Sequence, residues 1–313
     1  MFAGVPIIWR LKNAITATTL FLKKNTMSQQ KHFRKLLQAR QKNIKDNTSA
    51  LDGYVYKHIV EFCGRDFDIE DVDARFIKRF ADYLVEDKGV AVTTAKMYLH
   101  KLHAFLGEAM EYGYIKDIPY VNIKRILPKA QSKEKEYLTV QELKRLSDTP
   151  CGNEVLKNAF LFSCYTGLRL SDIETLTWSD IVDKHNTSVV EKKQQKTDKM
   201  VRVPLCDEAL EVLDTMLLDD LYDAETYRVF PLPSRTAIGL CLNNWIKRAK
   251  IDKHISFHSA RVTFATMSLQ AGVDIAVVSR LCGHSNISTT MIYAKMTDTT
   301  YLNSVNKLNE ILK

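Results

Sequence analysis

Tyr293 lies nine residues after a Gly283-His284 pair, and both follow a His258-x-x-Arg261 step. Upstream stands Thr166-Gly167-Leu168-Arg169-Leu170-Ser171-Asp172, and a lysine-bearing turn around Lys196 falls between the two halves. Two guanidinium groups, two imidazoles, an amine and a phenol are the parts needed to hold a phosphodiester and attack it covalently. Guanidinium forks match phosphate oxygens bidentately and stay charged, which suits Arg169 and Arg261. A phenol has a pKa of about 10, so Tyr293 needs a base or a strongly cationic neighbourhood to act as a nucleophile at neutral pH. A lysine at a hairpin turn, here Lys196, can reach a groove of DNA and protonate a leaving 5′ oxygen. Singly, each residue has a plainer explanation. A tyrosine on an apolar helix packs, His258 and His284 cap helices, and Arg169 with Asp172 makes a surface ion pair worth about a few tenths of a kcal/mol. The order and spacing of the whole set favour chemistry.

Those side chains need elements to carry them. His258 and Arg261 are three apart, so they share a face at the start of a helix running to about residue 271, where Gly272 takes the C′ position. A helix N-terminus also favours an anion. A second helix over 274–282 is closed by Gly283 and leaves His284 just beyond its end. Ser288 or Thr289 starts the short helix that bears Tyr293. Upstream, Thr139-Val140-Gln141-Glu142 matches a capping box, and helices are predicted over 140–147 and 153–166. The one clear β pattern lies at 187–205. There Val189 and Val190 precede a polar run, after which Val201, Val203 and Leu205 alternate with Met200 and Arg202, a hairpin pattern. Pro204 closes the second strand or places it at an edge. Lys192, Lys193 and Lys199 crowd the same hairpin as Lys196.

From residue 47 to about 127 the rhythm is helical. Leu51, Tyr54, Val55, His58, Ile59 and Phe62 form a first stripe that breaks at Gly64-Arg65-Asp66. Residues 71–85 carry Val72, Phe76, Phe80, Tyr83 and Leu84. A third helix over 93–112 has Leu99, Leu102, Leu106 and Met110 along one stripe, with Lys96 and His103 flanking it and His100 and Lys101 turned away. His100-x-x-His103 has no third metal ligand in view. The polar stretch from Pro128 to Glu136 has no apolar rhythm. The expected organisation is a basic arm over 1–45, a helical domain over 46–128, a linker over 129–136 and a second domain over 137–313.

The 313 residues are 45% hydrophobic and 26% charged, enough for a sizeable core and two domains. The net charge of +8 is uneven: residues 1–45 hold ten Lys or Arg and no Asp or Glu, and the remainder holds 35 basic against 37 acidic. Such an arm can track a nucleic-acid backbone, or simply be a solvated tail. The six cysteines show no zinc-ligand spacing, which fits reduced thiols packed as small apolar side chains in a cytosolic protein. No run reaches the roughly 18 uncharged apolar residues of a membrane helix, and the apolar stretch at 14–22 lacks a cleavage site for export. Met27 is a second candidate start.

The chain resembles the phage integrase family of tyrosine-type site-specific recombinases. The resemblance rests on Tyr165-Thr166-Gly167-Leu168-Arg169-Leu170-Ser171-Asp172, on Lys196-Thr197 with Val201-Arg202-Val203-Pro204-Leu205, and on His258-Ser259-Ala260-Arg261 with Thr263-Phe264-Ala265-Thr266. Leu281-Cys282-Gly283-His284 and Thr289-Thr290-Met291-Ile292-Tyr293-Ala294 complete it. One departure is Val262, where the family often has histidine. The resemblance implies a mainly α fold with a small antiparallel β-sheet, in which a helical, SAM-like core-binding domain at 46–128 precedes a catalytic domain at 137–313. It implies that Tyr293 forms a 3′-phosphotyrosyl link and that Arg169, Arg261 and His284 stabilise the phosphorane. Lys196 would be the general acid, with His258 assisting proton transfer. It further implies no cofactor, double-stranded DNA gripped by a C-shaped pair of domains, a homo-tetramer on two sites, and accessory DNA-bending or directionality proteins. The apolar stripe Leu302, Val305, Leu308 and Leu312 would dock on a neighbouring protomer or on its own domain. The expected setting is the bacterial cytoplasm at the nucleoid, with no membrane. A type IB topoisomerase would use the same chemistry to relax DNA, and a non-catalytic DNA-binding accessory protein would leave Tyr293 idle.

Overall fold

The computed structural model describes residues 46–64, 69–129, 135–184, 186–196, 198–217 and 227–294. The basic arm, most of the linker and the apolar stripe at 302–312 lie outside these. The chain divides into two compact units, Met1–Ser132 and Lys133–Lys313. The described residues are mainly helical with one three-stranded antiparallel sheet, the fold class that the sequence predicts. Among them no helix is long and apolar enough to cross a membrane.

In the first unit, α1 (Asp46–Cys63), α2 (Ala74–Asp82) and α3 (Val92–Glu111) surround a core of Val55, Ile59, Phe80, Leu84, Leu99, Leu102, Phe105 and Leu106. A short α4 (Ile123–Ile126) follows. The helix expected over 71–85 is divided. Asp73 accepts a hydrogen bond from Phe76 N at 2.6 Å, which caps the helix and delays its start to Ala74. Beyond Asp82 the backbone widens into a π-helical turn over Tyr83–Asp87. The apolar stripe of α3 runs through Ala95, Tyr98, Leu99, Leu102, Phe105, Leu106 and Ala109. Ala109 takes the inward position of the last turn, and Met110, about 100° further round, is 42% exposed rather than buried. Lys101 also departs from expectation. It turns inward, with Nζ 3.1 Å from the wholly buried Asp52 carboxylate of α1, because a buried carboxylate requires a cation.

The second unit opens with α5 (Val140–Asp148), set by the capping box read from the sequence: Glu142 N donates to Thr139 Oγ1 at 3.2 Å and Thr139 N to Glu142 Oε2 at 2.8 Å. The next helix, α6 (Glu154–Thr166), is buried along most of its C-terminal half, with Leu156, Phe160, Leu161, Phe162 and Cys164 in the core. A single-turn α7 (Leu170–Ile173) follows. The sheet has the order β1 (Ile181–Lys184), β2 (Thr187–Lys193), β3 (Met200–Pro204). β2 pairs with β3 from Val189↔Pro204 to Lys193↔Met200, so the expected hairpin is present and Pro204 ends an edge strand. Val201 and Val203 point inward while Met200 and Arg202 face out. β1 lies outside the one clear β pattern at 187–205; its four residues, Ile-Val-Asp-Lys, are too few to show a period. After α8 (Asp207–Met216) and α9 (Arg235–Arg248) come α10 (Phe257–Gln270), which packs along α6, then α11 (Ile275–Leu281) and α12 (Ser288–Ala294). Cys151, Cys164 and Cys282 are buried thiols as expected, whereas Cys206 is exposed.

Candidate active site

Five segments of the second unit converge. The first is the reversal after α6. Gly167 ends that helix at φ 70°, and a Cβ there would stand 2.4 Å from the Phe264 ring, so only glycine fits. The reversal puts Arg169 at the start of α7, 19% exposed, with Nη2 3.5 Å from Gly283 O. Its Nη1 is buried, lies 3.9 Å from Asp172 Oδ2, and makes no hydrogen bond among the described residues. Asp172 is wholly buried, so the pair is not a surface ion pair; its other oxygen accepts from Gln195 N at 3.0 Å.

The second segment is α10, where Ser256 and Ser259 cap each other and Ser256 N donates to Ser259 Oγ at 3.1 Å. Arg261, one turn in, is 2% exposed. Its Nη1 donates to Gly167 O at 2.7 Å and its Nη2 donates to Cys282 O. One guanidinium thus joins the turn before Arg169 to the turn before His284, and up to three of its five N–H groups remain for a ligand. His258 stands at the exposed mouth of the same helix rather than at the depth of Arg261.

The third and fourth segments are the turn after α11 and the helix α12. Gly283, at φ 63°, lets the chain pass where a Cβ would meet Gln194 Oε1 at 2.5 Å. His284 follows, and its Nδ1 pairs with Thr290 Oγ1 at 2.7 Å, which leaves Nε2 for a ligand. The rings of His284 and Tyr293 are 6.3 Å apart at 30°. Tyr293 is 1% exposed and packs among Val262, Phe264, Val278 and Cys282. Lys135 Nζ lies 5.4 Å from the centre of its ring.

The fifth segment is the tip of the β2–β3 hairpin, where Lys196 is exposed. The geometry separates the crowded lysines. Lys192 is directed into the fold, 2.6 Å from both Asp180 Oδ2 and Thr175 O, and Lys193 pairs with Asp198 at 3.0 Å. Lys196 lies near enough to His258 to act on its charge.

The cations dominate the electrostatics. Burial, then Arg261 and Arg169, push the His284 pKa down to about 4, so its imidazole is neutral at pH 7. His258 is lowered as well, by partial desolvation of its ring and then by Lys135, Arg261, Arg169 and Lys196. Burial raises the Tyr293 phenol above its ordinary value, with Arg261 and Arg169 pulling against it. The resting phenol is protonated and both imidazoles are neutral at pH 7, so His258 can accept a proton while His284, with Nδ1 held by Thr290, can present Nε2–H as a donor.

The structure therefore brings Arg169, Arg261, His284 and Tyr293 into one cluster, with His258 and Lys196 at its edge. Three further residues escaped the sequence reading. Thr290 shares a face with Tyr293 at i, i+3 spacing, a signal that was available. Gln194, 1% exposed inside a polar run, and Lys135, read as linker, carry no local sign of their roles.

Residues 136–300 match the phage integrase family and residues 29–126 match the phage integrase SAM-like domain. The chain is 31% identical over 274 residues to the tyrosine recombinase XerC of Bacillus pumilus, covering 80% of this chain and 87% of that one. It is 29% identical over 293 residues to XerD of Halalkalibacterium halodurans, covering 88% and 94%. The fold is similar to that of the Tn1549 transposon integrase in complex with transposon right end DNA, with a TM-score of 0.70 and 18% identity over 88% of this chain and 98% of that one. It is also similar to a lambda integrase dimer bound to a core site, with a TM-score of 0.61 and 22% identity over 83% and 76%. With the family matched across both units, and with two arginines, two histidines and a tyrosine gathered around one space, the chain belongs to the phage integrase family, the tyrosine-type site-specific recombinases.

Proposed function

We propose that this recombinase cleaves and rejoins double-stranded DNA through a 3′-phosphotyrosyl intermediate formed by Tyr293. The Tyr293 oxygen attacks phosphorus and the bond to the 5′ oxygen breaks. Lys196 supplies the proton that the departing oxygen takes up, and the phenol proton passes to the neutral His258 imidazole. Arg169, Arg261 and His284 Nε2 hold the non-bridging oxygens as charge builds on them. The covalent link conserves the bond energy of the phosphodiester, so a 5′ hydroxyl from another strand can reseal it without ATP. Arg261 and Tyr293 are shut from solvent, so DNA has to shift α12 before phosphorus comes within reach of the phenol. Residues 46–128 supply a second DNA contact as a core-binding domain joined by the 129–136 linker. Four protomers act on two sites in the bacterial cytoplasm at the nucleoid, with accessory DNA-bending or directionality proteins setting the outcome.

The observation that supports this reading most is the pair of hydrogen bonds that Arg261 donates to Gly167 O and Cys282 O, which gathers Arg169, His284 and Tyr293 around one point. The test uses nicked duplexes tiling the DNA that flanks the coding sequence, in which cleavage next to the nick traps the enzyme. The expected product is a denaturant-stable protein–DNA band with a free 5′ hydroxyl, absent for Tyr293→Phe. A band that persists in that variant, or a 5′ linkage, would overturn the proposal.

A further inference from the structure

The polar stretch from Glu191 to Lys199 makes the hairpin tip look like a solvated loop, yet Gln194 within it is 1% exposed. Its Nε2 donates to Cys282 O at 3.2 Å, the same carbonyl that accepts from Arg261. The bare Cα of Gly283 makes room for that amide, since a Cβ there would stand 2.5 Å from Oε1 and 2.6 Å from Nε2. The neighbouring backbone is anchored too. Gln195 N donates to the buried Asp172 carboxylate at 3.0 Å, while Gln194 N donates to Lys199 O at 2.9 Å and Asp198 N to Gln194 O at 3.0 Å. The two residues before Lys196 thus tie the tip to the segment that bears Arg169 and to the turn that bears His284.

We infer that Gln194 is a positioning residue that sets the reach of Lys196 toward the leaving 5′ oxygen. This rests on the reading of Lys196 as proton donor. Burying an amide in a hairpin tip carries a desolvation penalty that its hydrogen bonds only offset, so anchoring the tip is what the contact achieves. Proton delivery requires the donor within about 2.6–3.2 Å of its acceptor. Loosening the tip therefore impairs leaving-group protonation and leaves the phosphate grip of Arg169 and Arg261 intact.

The test compares single-turnover cleavage of the best nicked duplex with cleavage of the same duplex carrying a bridging 5′ sulfur at the scissile bond. An alkyl thiol has a pKa of about 8.5, so the sulfur departs without a proton. Gln194→Met should slow the oxygen duplex by about 10- to 100-fold and cleave the sulfur duplex at the wild-type rate, as Lys196→Ala should. Arg169→Ala should be slow on both. Gln194→Glu keeps the volume, loses the donor, and is read the same way if Gln194→Met does not fold. Equal slowing on both duplexes, or no slowing on either, overturns the inference while leaving Lys196 in place. If Lys196→Ala itself is not rescued by sulfur, the proton-donor reading falls and this inference falls with it.

Discussion

Arg261 and Lys196 stand at opposite extremes of one site. Arg261 is 2% exposed and bonded to two backbone carbonyls, whereas Lys196 sits exposed at a hairpin tip. Folding itself assembles the anion-holding half, because the guanidinium that would grip phosphate also joins two chain reversals. The proton-delivering half depends on anchors one and two residues away. Mutating the first half should damage stability and catalysis together, while mutating the second should damage catalysis alone.

The largest effect is expected for Arg261→Met. It leaves Gly167 O without its buried donor, at about 1–3 kcal/mol, strips Cys282 O of one of its two donors, with Gln194 Nε2 remaining, and should abolish cleavage. Denaturant melts run beside cleavage assays check this, and a variant of wild-type stability would break the contrast. Lys196→Ala should slow cleavage by about 10²- to 10⁴-fold with an unchanged melting temperature. A matching drop in melting temperature would erase the difference between the halves.

A pH series sharpens the same contrast. The His284 pKa of about 4 in the folded chain lies below the ordinary imidazole value of about 6.5. On acidification the unfolded chain takes up this proton first, so stability falls as pH drops below about 6.5 and levels off below about 4. The loss should be about 2–3 kcal/mol for this half-buried ring. His284→Gln should flatten that part of a melting-temperature profile, and an unaltered profile would contradict the electrostatic account. The smallest effect is expected for Lys135→Ala. Its amine faces the Tyr293 ring from an exposed position, so losing about 0.5–1 kcal/mol should lower the cleavage rate about two- to fivefold. A loss of a hundredfold or more would move Lys135 into the central machinery.

The parts of the fold legible in the sequence were those governed by neighbours along the chain. The Thr139–Glu142 capping box, the helix closures at Gly272 and Gly283, and the alternation in β3 are all local signals, and each is present. Contacts that depend on distant segments stayed hidden. Lys101 turns toward Asp52 because α1 packs there, and Asp172 is buried because the hairpin lies over it. Met110 was misread because a stripe counted from leucines overlooked Ala109, which has little side chain to advertise its inward position. The candidate site followed the same division. Residue types and spacing along the chain announced Arg169, Arg261, His284 and Tyr293. Of the side chains that hold them, Thr290 has a local signal in its i, i+3 spacing from Tyr293, whereas Gln194 emerges only when the turns are folded together.

The most direct test of the central claim is to digest the protein trapped on a nicked duplex with trypsin and locate the nucleotide adduct by mass spectrometry. The account predicts an adduct on the peptide spanning residues 281–295, attached at Tyr293. An adduct on another residue, or rejoined strands formed with no adduct at all, would contradict it.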